Sequence, residues 1–593
     1  MLDSLEPPRW IHRLMEELAH APFAALELVI VTAPSPSGAR SASPARGGLL
    51  YPLYARLDRR LFPLHSDPLE PVSLDRRDGE VVPLMHVTGG TRSPLAPDES
   101  EAIADRRLDV LLCLGASLRP QAAVGLARLG TLYLQMGDGE LPAGVREVFD
   151  GVPATRSAVY AVPDDASAPR LAAEAYRKTH KRSAHRTRAE LYRKAPGLLL
   201  RALRDLYDSG EEVGGDGLET DGERAARREA SDPTVVAPHP RLPTDAEMTR
   251  GLLRVGGRLL EHTRHEVGTF EQWILGFHLP DPGTPHVAYD RLASLAWRTA
   301  IPPRDRFWAD PFPVRVPGGH VVFVEEYLYE RGRAHISALE VSASGATSTP
   351  VPVLEREYHL SYPLILEWRG ERFMIPESSG GRTVDAYRAT SFPDAWTLEA
   401  QLLGDVRAVD ATPIEVEGRW WMFAGVAPEP HSHASDLQEE LHLFHAPSPL
   451  GPWTPHRRNP VKSDVRGARP AGSLFWWNGE LIRPAQDCSV RYGYAMTLHR
   501  VLRLNASEFR EEPVARIDPC WTAGLRGTHT LNTAPGLVVL DGRLVRRKAG
   551  DSFDRQVASP PPRASSPRPT GHVDAPFDHA SAPAAADRVR EVR

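Results

Sequence analysis

Residues 310–324 read DPFPVRVPGGHVVFV, and the same pattern returns four more times before the C-terminal tail. Each copy begins with a short polar motif, continues into an apolar strand, turns at a glycine and ends in a second apolar strand. The other copies are SYPLILEWRGERFMI (361–375), DATPIEVEGRWWMF (410–423), RPAGSLFWWNGELI (469–482) and TLNTAPGLVVLDGRLV (530–545). Repeats of about 50 residues built from short strands are typical of β-propellers. We therefore predict five blades, turning at glycines 319, 370, 418, 479 and 542.

The rest of the chain divides around this repeat region. Residues 1–207 alternate buried-type strands with helical patterns, which predicts an α/β domain with a mostly parallel, Rossmann-type sheet. Residues 165–207 have a helical pattern. Residues 208–245 are rich in Gly, Glu, Asp and Pro and are predicted to be a flexible linker, and 246–267 are predicted to be a connecting helix. The fold expected is thus multidomain, an N-terminal α/β unit followed by an all-β five-bladed propeller over 268–548. Residues 549–593 are predicted to be a disordered tail.

Within the α/β region, strands are predicted at 26–32, 108–115, 131–136 and 157–162, and helices at 10–20 and 120–129.

Bulk composition excludes several classes of protein. A net charge of −6 over 593 residues gives no nucleic-acid footprint, and an apolar run of about 20 residues, as a membrane span needs, is missing. Three cysteines, Cys113, Cys488 and Cys520, are too few for a disulfide framework. Without a signal-peptide pattern at the N-terminus, we expect a cytoplasmic protein. The dominance of Arg over Lys, with abundant Ala and Pro, indicates a GC-rich bacterial genome.

No metal or cofactor is expected. The histidines of the third repeat have no spacing that fits a compact metal site; they are His431, His433, His442 and His445. A basic stretch at 177–194 either contacts anionic lipid or forms a solvated face.

Acidic residues at the starts and ends of repeat strands are the candidate catalytic groups. Asp310 follows Trp308 in FWADPF, and Asp410 takes the matching place in the third repeat. Glu377 ends the second strand of the second repeat. A carboxylate beside an aromatic wall is what cleavage of a sugar needs. The alternatives are turns that begin a strand for the two aspartates and a salt bridge at the blade rim for Glu377.

The fourth and fifth repeats supply candidate substrate-binding residues. The arginines could hold a phosphate or carboxylate in a bidentate manner, or they could neutralise the neighbouring acids. With Trp308, the candidates are Arg469, Arg483, Gln486, Asp487, Tyr492 and His529.

The motifs FWADPF, IPESS, VDATP, RPAG and RPAQDCSVRYG resemble the N-terminal domain family of glucosamine inositolphosphorylceramide transferase 1. The resemblance covers roughly 268–548 and implies a propeller related to family-43-type glycoside hydrolases. It makes Asp310 the base and Asp410 a second acid that tunes a pKa. The general acid of these hydrolases would naturally stand at the start of the fourth repeat, where this chain has Arg469. We therefore take Glu377 as the candidate general acid in its place. In the plant protein, the glycosyltransferase activity belongs to a different domain, which this chain does not resemble.

Residues 20–207 resemble formyltransferases through LDVLLCLG (108–115), GTLYLQMGDG (130–139) and VFDGVPATRSAVY (148–160). Family members use an Asn and a His where this chain has YLQMGD (133–138). Without that His a general base is missing, which predicts a degenerate, inactive relative. Three candidate functions follow. The first is a carbohydrate-active propeller that binds, and could cleave or transfer, a glycosyl group in bacterial glycan or glycolipid metabolism. The second is a non-catalytic glycan-recognition or scaffold protein, and an active formyltransferase is the third and weakest.

Overall fold

The computed structural model describes residues 1–32, 48–74, 83–87, 95–115, 120–163, 168–209, 240–280, 291–292, 295–427 and 436–550. Most of the predicted linker and tail, and His431 and His433, lie outside these residues. The elements up to residue 280 are α1 (Arg9–Ala19), β1 (Val29–Thr32), α2 (Leu50–Leu61), β2 (Leu84–Val87), α3 (Pro97–Ala104), β3 (Leu111–Cys113), β4 (Thr131–Met136), α4 (Val145–Asp150), β5 (Ala154–Val162), β6 (Arg170–Lys178), α5 (Ala184–Ser209), α6 (Asp245–Gly268) and β7 (Thr269–His278).

The N-terminal unit contains helices and strands, and its four-stranded sheet is mixed. Strands β1 and β2 pair in parallel, as do β3 and β4, whereas β4, β5 and β6 pair antiparallel. The prediction of a mostly parallel sheet is therefore wrong for this four-stranded sheet. The apolar stripe of α1, spaced three and four residues apart, packs into the core between α1 and α5.

Two local predictions in this unit are also wrong. Residues 170–178 form β6 rather than a helix, because pairing with β5 along its length outweighs the helix preference of its alanines. The predicted helix at 120–129 is a single 3₁₀ turn at Pro120–Ala123. Helices α1 and α6 lie where the sequence places them. Thr244 caps α6, accepting a hydrogen bond from the backbone N–H of Glu247.

The C-terminal part consists of five antiparallel sheets. The first contains β9–β12, the second β13–β16, the third β17–β21 and the fourth β22–β25. The fifth joins β26 and β27 to β7 and β8, so the two ends of this region share one sheet. Bounds are β8 (Arg298–Ala300), β9 (Arg306–Val316), β10 (Gly319–Leu328), β11 (Arg333–Ser342), β12 (Val351–Leu354), β13 (Ser361–Trp368), β14 (Glu371–Ser378), β15 (Thr383–Ser391), β16 (Ala395–Leu403), β17 (Arg407–Val416), β18 (Arg419–Ala427), β19 (Glu440–Ala446), β20 (Thr454–Pro455), β21 (Lys462–Ser463), β22 (Phe475–Trp477), β23 (Glu480–Asp487), β24 (Ala495–Leu504), β25 (Phe509–Ile517), β26 (Leu531–Ala534) and β27 (Leu537–Arg547).

Four of the five predicted glycine turns join the first two strands of a sheet, although in the first of them Gly318, at a φ of 86°, makes the turn and Gly319 begins β10. The fifth is displaced: Gly536, at a φ of 82°, makes the turn between β26 and β27, and Gly542 lies inside β27. Gly542 packs closely against Trp521, where a Cβ atom would lie 2.3 Å from the indole ring. A glycine is therefore needed at 542 for close packing and at 536 for the positive φ of the turn.

The first strands of the five sheets, with the segment leading into β22, contact one another in cyclic order. The links are the Tyr362 N–H to Asp310, the Tyr362 hydroxyl with Thr412, Arg469 to Asp410, the Leu531 N–H to the Ala471 carbonyl, and the Asn532 amide to the Pro311 carbonyl. The residues that begin these strands therefore meet at one place.

Buried ion pairs join the N-terminal unit to the third sheet. The guanidinium of Arg177, on β6, lies 2.9 Å from Glu439 and 2.6 Å from Glu440. Arg193, on α5, lies 2.5 Å from Asp436. All three acids are buried.

The same ion pairs bear on the predicted lipid contact of residues 177–194. The prediction is wrong for Arg177 and Arg193, because both cations face protein carboxylates. Among the described residues, no helix is long and apolar enough to cross a membrane.

Candidate functional site

Three residues at equivalent places in the first three sheets have left-handed backbones. Asp310, Tyr362 and Asp410 have φ values of 49°, 46° and 53°. Each lies where the register between the first and second strand shifts, as at a β-bulge. A non-glycine residue held in this conformation costs about 1–2 kcal/mol, and such strain is concentrated at functional sites. The bulges turn these side chains towards the place where the first strands meet.

Asp310 is buried in a network that links the first, second and fifth sheets. One carboxylate oxygen accepts the Thr530 hydroxyl at 2.5 Å, and the other accepts the Tyr362 backbone N–H at 3.2 Å. The Asp310 N–H donates to Asp541 at 3.0 Å. His529 Nδ1 lies 2.7 Å from Asp541 and 3.8 Å from Asp310. Burial raises the pKa of the Asp310 carboxyl to about 7, against the opposing charge of His529.

Arg469 joins the other two predicted acids. Its guanidinium makes a bidentate pair with Asp410, at 2.6 and 3.1 Å, and reaches Glu377 at 3.4 Å. Gln486 donates a further hydrogen bond to Asp410 at 3.0 Å, and the ring of Tyr492 lies 5.0 Å from the guanidinium. Burial and then the charge of Asp410 raise the pKa of Glu377 to about 8, although Arg469 opposes the shift.

A third ion pair, which sequence reasoning missed, completes the cluster. Glu325, at the end of β10, lies 3.2 Å from His359 Nε2. Burial lowers the pKa of His359, but the hydrogen bond to Glu325 and the charges of the surrounding carboxylates together outweigh it, and the pKa rises to about 9. Glu325 occupies in the first repeat the position that Glu377 occupies in the second, so the repeat alignment could have identified it.

Three ion pairs in this cluster leave two carboxyls outside any pair of their own. Arg469 is bonded to Asp410, His529 to Asp541 and His359 to Glu325. Asp310 and Glu377 are left without a cation of their own, and the pKa values of both carboxyls are raised. These eight residues are called the central site below.

The central site reaches the surface on one side. Asp310, Asp410 and Arg469 are buried, whereas the side chains of Glu377 and His359 are 13% and 41% exposed. A ligand would therefore meet Glu377 first and Asp310 deeper in.

Asp310, His529 and Asp541 place their ligand atoms within 4.8 Å of one another, which could hold a metal ion. Asp541 Oδ1, however, accepts the backbone N–H groups of His529 and Thr530. The contact with Asp541, with Asp310 behind it, outweighs burial and raises the pKa of His529 to about 9, which favours an imidazolium. A protonated imidazole cannot ligate a metal, so the hydrogen bonds account for this cluster better than an ion does.

Three predicted binding residues lie elsewhere. Arg483 is fully buried and pairs with Glu511 of the same sheet at 2.6 and 2.7 Å. Asp487 pairs with Arg516 at 2.8 Å. The Trp308 indole donates to Glu326, on the other side of β10 from Glu325.

The structure therefore places these three side chains in ion pairs and hydrogen bonds away from the central site, and their role in substrate binding stays a prediction. Gln486, Tyr492, Arg469 and His529 do lie in or against the central site. The ring of His529 stacks on Trp273 at 4.0 Å and meets Tyr492 edge-on.

Tyr362→Phe tests the hydrogen bonds between the sheets at this place. The Thr412 hydroxyl donates to the Asp410 carbonyl, so the Tyr362 hydroxyl donates to Thr412 and accepts the Gly472 N–H at 2.7 Å. Phenylalanine leaves that buried N–H without its acceptor, and we expect a loss of about 1–3 kcal/mol in the free energy of unfolding. Urea denaturation measures it. Tyr329→Phe, at a 40% exposed tyrosine, is the control, and equal losses in both variants contradict the assignment.

Comparison with known proteins finds similarity in the C-terminal part. Residues 298–519 match the family described as glucosamine inositolphosphorylceramide transferase 1, N-terminal. The rice (Oryza sativa subsp. japonica) protein named glucosamine inositolphosphorylceramide transferase 1 is 36% identical over 212 residues, which are 35% of this chain and 28% of that protein. The Arabidopsis thaliana protein of the same name is 33% identical over 35% of this chain and 27% of its own length. The chain thus spans about a quarter of these relatives.

Among solved structures, a family 117 glycoside hydrolase from Zobellia galactanivorans aligns with a TM-score of 0.30 and 13% identity, over 48% of this chain and 93% of its own. The GH43_1 enzyme from Xanthomonas citri aligns with a TM-score of 0.31 and 10% identity, over 42% and 89%. The curated relatives are plant proteins, so a bacterial origin stays a prediction, as does a cytoplasmic location.

Proposed function

We propose that residues 268–548 form a five-bladed β-propeller whose central site binds the glycosyl group of a carbohydrate or glycolipid. One observation carries the proposal: three ion pairs use up the cations of the site and leave Asp310 and Glu377 as carboxyls with raised pKa values. A protonated carboxyl both donates and accepts hydrogen bonds, as the hydroxyls of a sugar do. The cyclic contacts of the first strands support the propeller interpretation.

Binding fits the geometry better than cleavage. Cleavage of a glycosidic bond needs two carboxyls free to exchange protons with the substrate. Arg469 holds Asp410 with two hydrogen bonds and also reaches Glu377, so Asp410 and Glu377 are both tied to the same cation. The arrangement is the one we expect of a recognition site.

Glycosyl cleavage or transfer is the second candidate, and one specific observation favours it. With pKa values of about 7 and about 8, Asp310 and Glu377 would be ionised and protonated, respectively, over a narrow range near neutral pH. An ionised base and a protonated acid are the two states such a reaction requires.

Similarity to the plant transferases supports the carbohydrate class of ligand. The matched range, 298–519, contains Asp310, Glu377, Asp410 and Arg469. It does not reach His529 or Asp541, so the fifth sheet contributes to the site from outside that range.

We assign the formyltransferase-like unit a structural role. The carboxylate of Asp138, in the segment that lacks the family's Asn and His, accepts the backbone N–H of Glu140 at 3.0 Å and pairs with Arg146 at 2.8 Å. The retained Gly–Asp thus holds a turn. Formyl transfer from a folate is the least favoured activity, and absence of folate binding to the full chain would remove it.

Removing the two carboxyls tests the proposal. A glycan array on the full chain identifies a ligand, and titration calorimetry then compares Asp310→Asn and Glu377→Gln with the parent. We expect each substitution to weaken binding about three- to tenfold, since the amide NH₂ replaces an oxygen that can accept a hydrogen bond, and one such bond contributes about 0.5–1.5 kcal/mol. Asp385→Asn is the matched control, because Asp385 is equally buried and bonds to Thr383 outside the site.

Turnover assays on glycosides and nucleotide sugars separate the two candidates. Turnover that falls by about 10²–10⁴ in Asp310→Asn would replace recognition by catalysis as the function. Binding that survives both substitutions would contradict the assignment of the central site.

A further inference from the structure

Helix α2 (Leu50–Leu61) and the residue before it carry four leucines on the outside of the protein. Leu49, Leu53, Leu57 and Leu61 are 87%, 63%, 52% and 62% exposed. They recur every four residues, and four residues advance a helix by about 40° beyond one full turn. The leucines therefore form one continuous stripe along α2. Burying a leucine stabilises a fold by about 1.5–3 kcal/mol, so a stripe left in water indicates a surface that something covers.

Arginines flank this stripe. Arg56, Arg59 and Arg60 are exposed, and none of the ion pairs found among the described residues includes them. The acid of the helix, Asp58, is buried and accepts the His185 backbone N–H at 2.8 Å. The exposed face of α2 is thus leucine beside arginine, with no exposed acid between Leu49 and Leu61.

The opposite face of α2 is firmly packed. Tyr54 meets Phe149 edge-on at 5.6 Å, and Asp58 is bonded to the start of α5. The exposed stripe therefore belongs to a helix that is anchored in the fold. The start of the neighbouring helix α6 is bonded to α2, since the Asp245 carboxylate accepts the Leu50 N–H, and α6 also exposes Leu253 and Leu260, 72% and 58%.

We propose that α2 docks on the surface of an anionic lipid bilayer, with its leucines in the acyl boundary and its arginines among the head groups. An apolar stripe beside cationic side chains is what an interfacial helix requires. Charge decides against a second copy of this chain, because a symmetric contact would bring the arginines of one copy towards those of the other. The surface is separate from the central site, and the proposal does not depend on it.

Vesicle sedimentation of the full chain tests this. Vesicles of phosphatidylcholine with about 30% phosphatidylglycerol should bind the protein, and pure phosphatidylcholine vesicles should bind it at least about tenfold more weakly, because anionic head groups attract the arginines. Raising the salt concentration should weaken binding to the anionic vesicles and leave binding to pure phosphatidylcholine vesicles unchanged. Arg56→Gln/Arg59→Gln/Arg60→Gln should remove the preference for anionic vesicles.

A matched pair of substitutions separates docking from general effects. Leu57→Glu should lower binding to anionic vesicles at least about tenfold, since it places a charge in the apolar stripe. Leu398→Glu, at a leucine that is also 52% exposed but lies on β16, should bind like the parent. Thermal unfolding of both variants checks that they fold, and Leu53→Glu repeats the test at a second place.

Three outcomes would overturn the proposal. They are no sedimentation with either vesicle, equal loss in Leu57→Glu and Leu398→Glu, and a dimer in light scattering that Leu57→Glu dissociates while vesicles bind nothing. The last would assign the stripe to a contact between two copies of the chain.

Discussion

Arg469→Met should destabilise the protein by about 3–5 kcal/mol, because removing one partner of a buried ion pair leaves the other charge uncompensated. Asp410, only 2% exposed, would keep the hydrogen bond from Gln486 and lose both bonds from the guanidinium. Glu377 would lose the only cation of the site that contacts it. Urea denaturation of the full chain gives the change in the free energy of unfolding.

The control for this effect is Arg388→Met. Arg388 pairs with Glu371 and Glu399 on the surface, where ion pairs contribute about 1 kcal/mol or less. The double variant Arg469→Met/Asp410→Asn should recover part of the loss, since an amide does not need a counter-ion. No recovery would mean that Arg469 acts through packing and not through its charge.

The sequence predicted the strands of the C-terminal part because their signals are local. An apolar strand, a glycine that permits a positive φ and a second apolar strand are read within about 15 residues. Asp310 and Asp410 were found by the same means, because each begins a first strand. The displaced fifth turn shows the limit, since Gly536 and Gly542 lie close together and only packing distinguishes them.

The partners of charged residues could not be predicted in this way. Arg469 and Arg483 both precede Pro-Ala, yet the first pairs with Asp410 in another sheet and the second with Glu511 in its own. Arg469 leads into the first strand of the fourth sheet, whereas Arg483 lies in the second strand, and this difference decides which carboxylate each guanidinium can reach. Similarly, nothing near Arg177 in the sequence shows that Glu439 lies against it.

The prediction of a helix over the residues of β6 was wrong for a related reason. RLAAEAYRK favours a helix by propensity, but hydrogen bonds to β5 hold it extended. Pairing with a strand that lies earlier in the chain is a tertiary effect, and a single sequence does not display it.

The contribution of Asp310 and Glu377 to the stability of the protein should fall as pH rises from about 4 to about 8. The pKa values of Asp310 and Glu377 are raised in the folded state, from 3.8 to about 7 and from 4.5 to about 8. Between these values the folded protein binds more protons than the unfolded chain, so rising pH favours unfolding. One pKa unit corresponds to about 1.4 kcal/mol, so the contribution of Asp310 alone is about 4 kcal/mol.

Denaturation at a series of pH values, in the parent and in Asp310→Asn/Glu377→Gln, isolates this effect. The amides do not titrate, so the parent should lose stability relative to the variant from pH 5 to pH 8, and the difference should level off above pH 8. Asp305→Asn is a control of opposite sign, because the hydrogen bond from Arg306 lowers the pKa of Asp305. Its difference curve should be flat above pH 5. A flat curve for the double variant as well would mean that Asp310 and Glu377 are ionised throughout, and the site would then favour cationic ligands over neutral sugars.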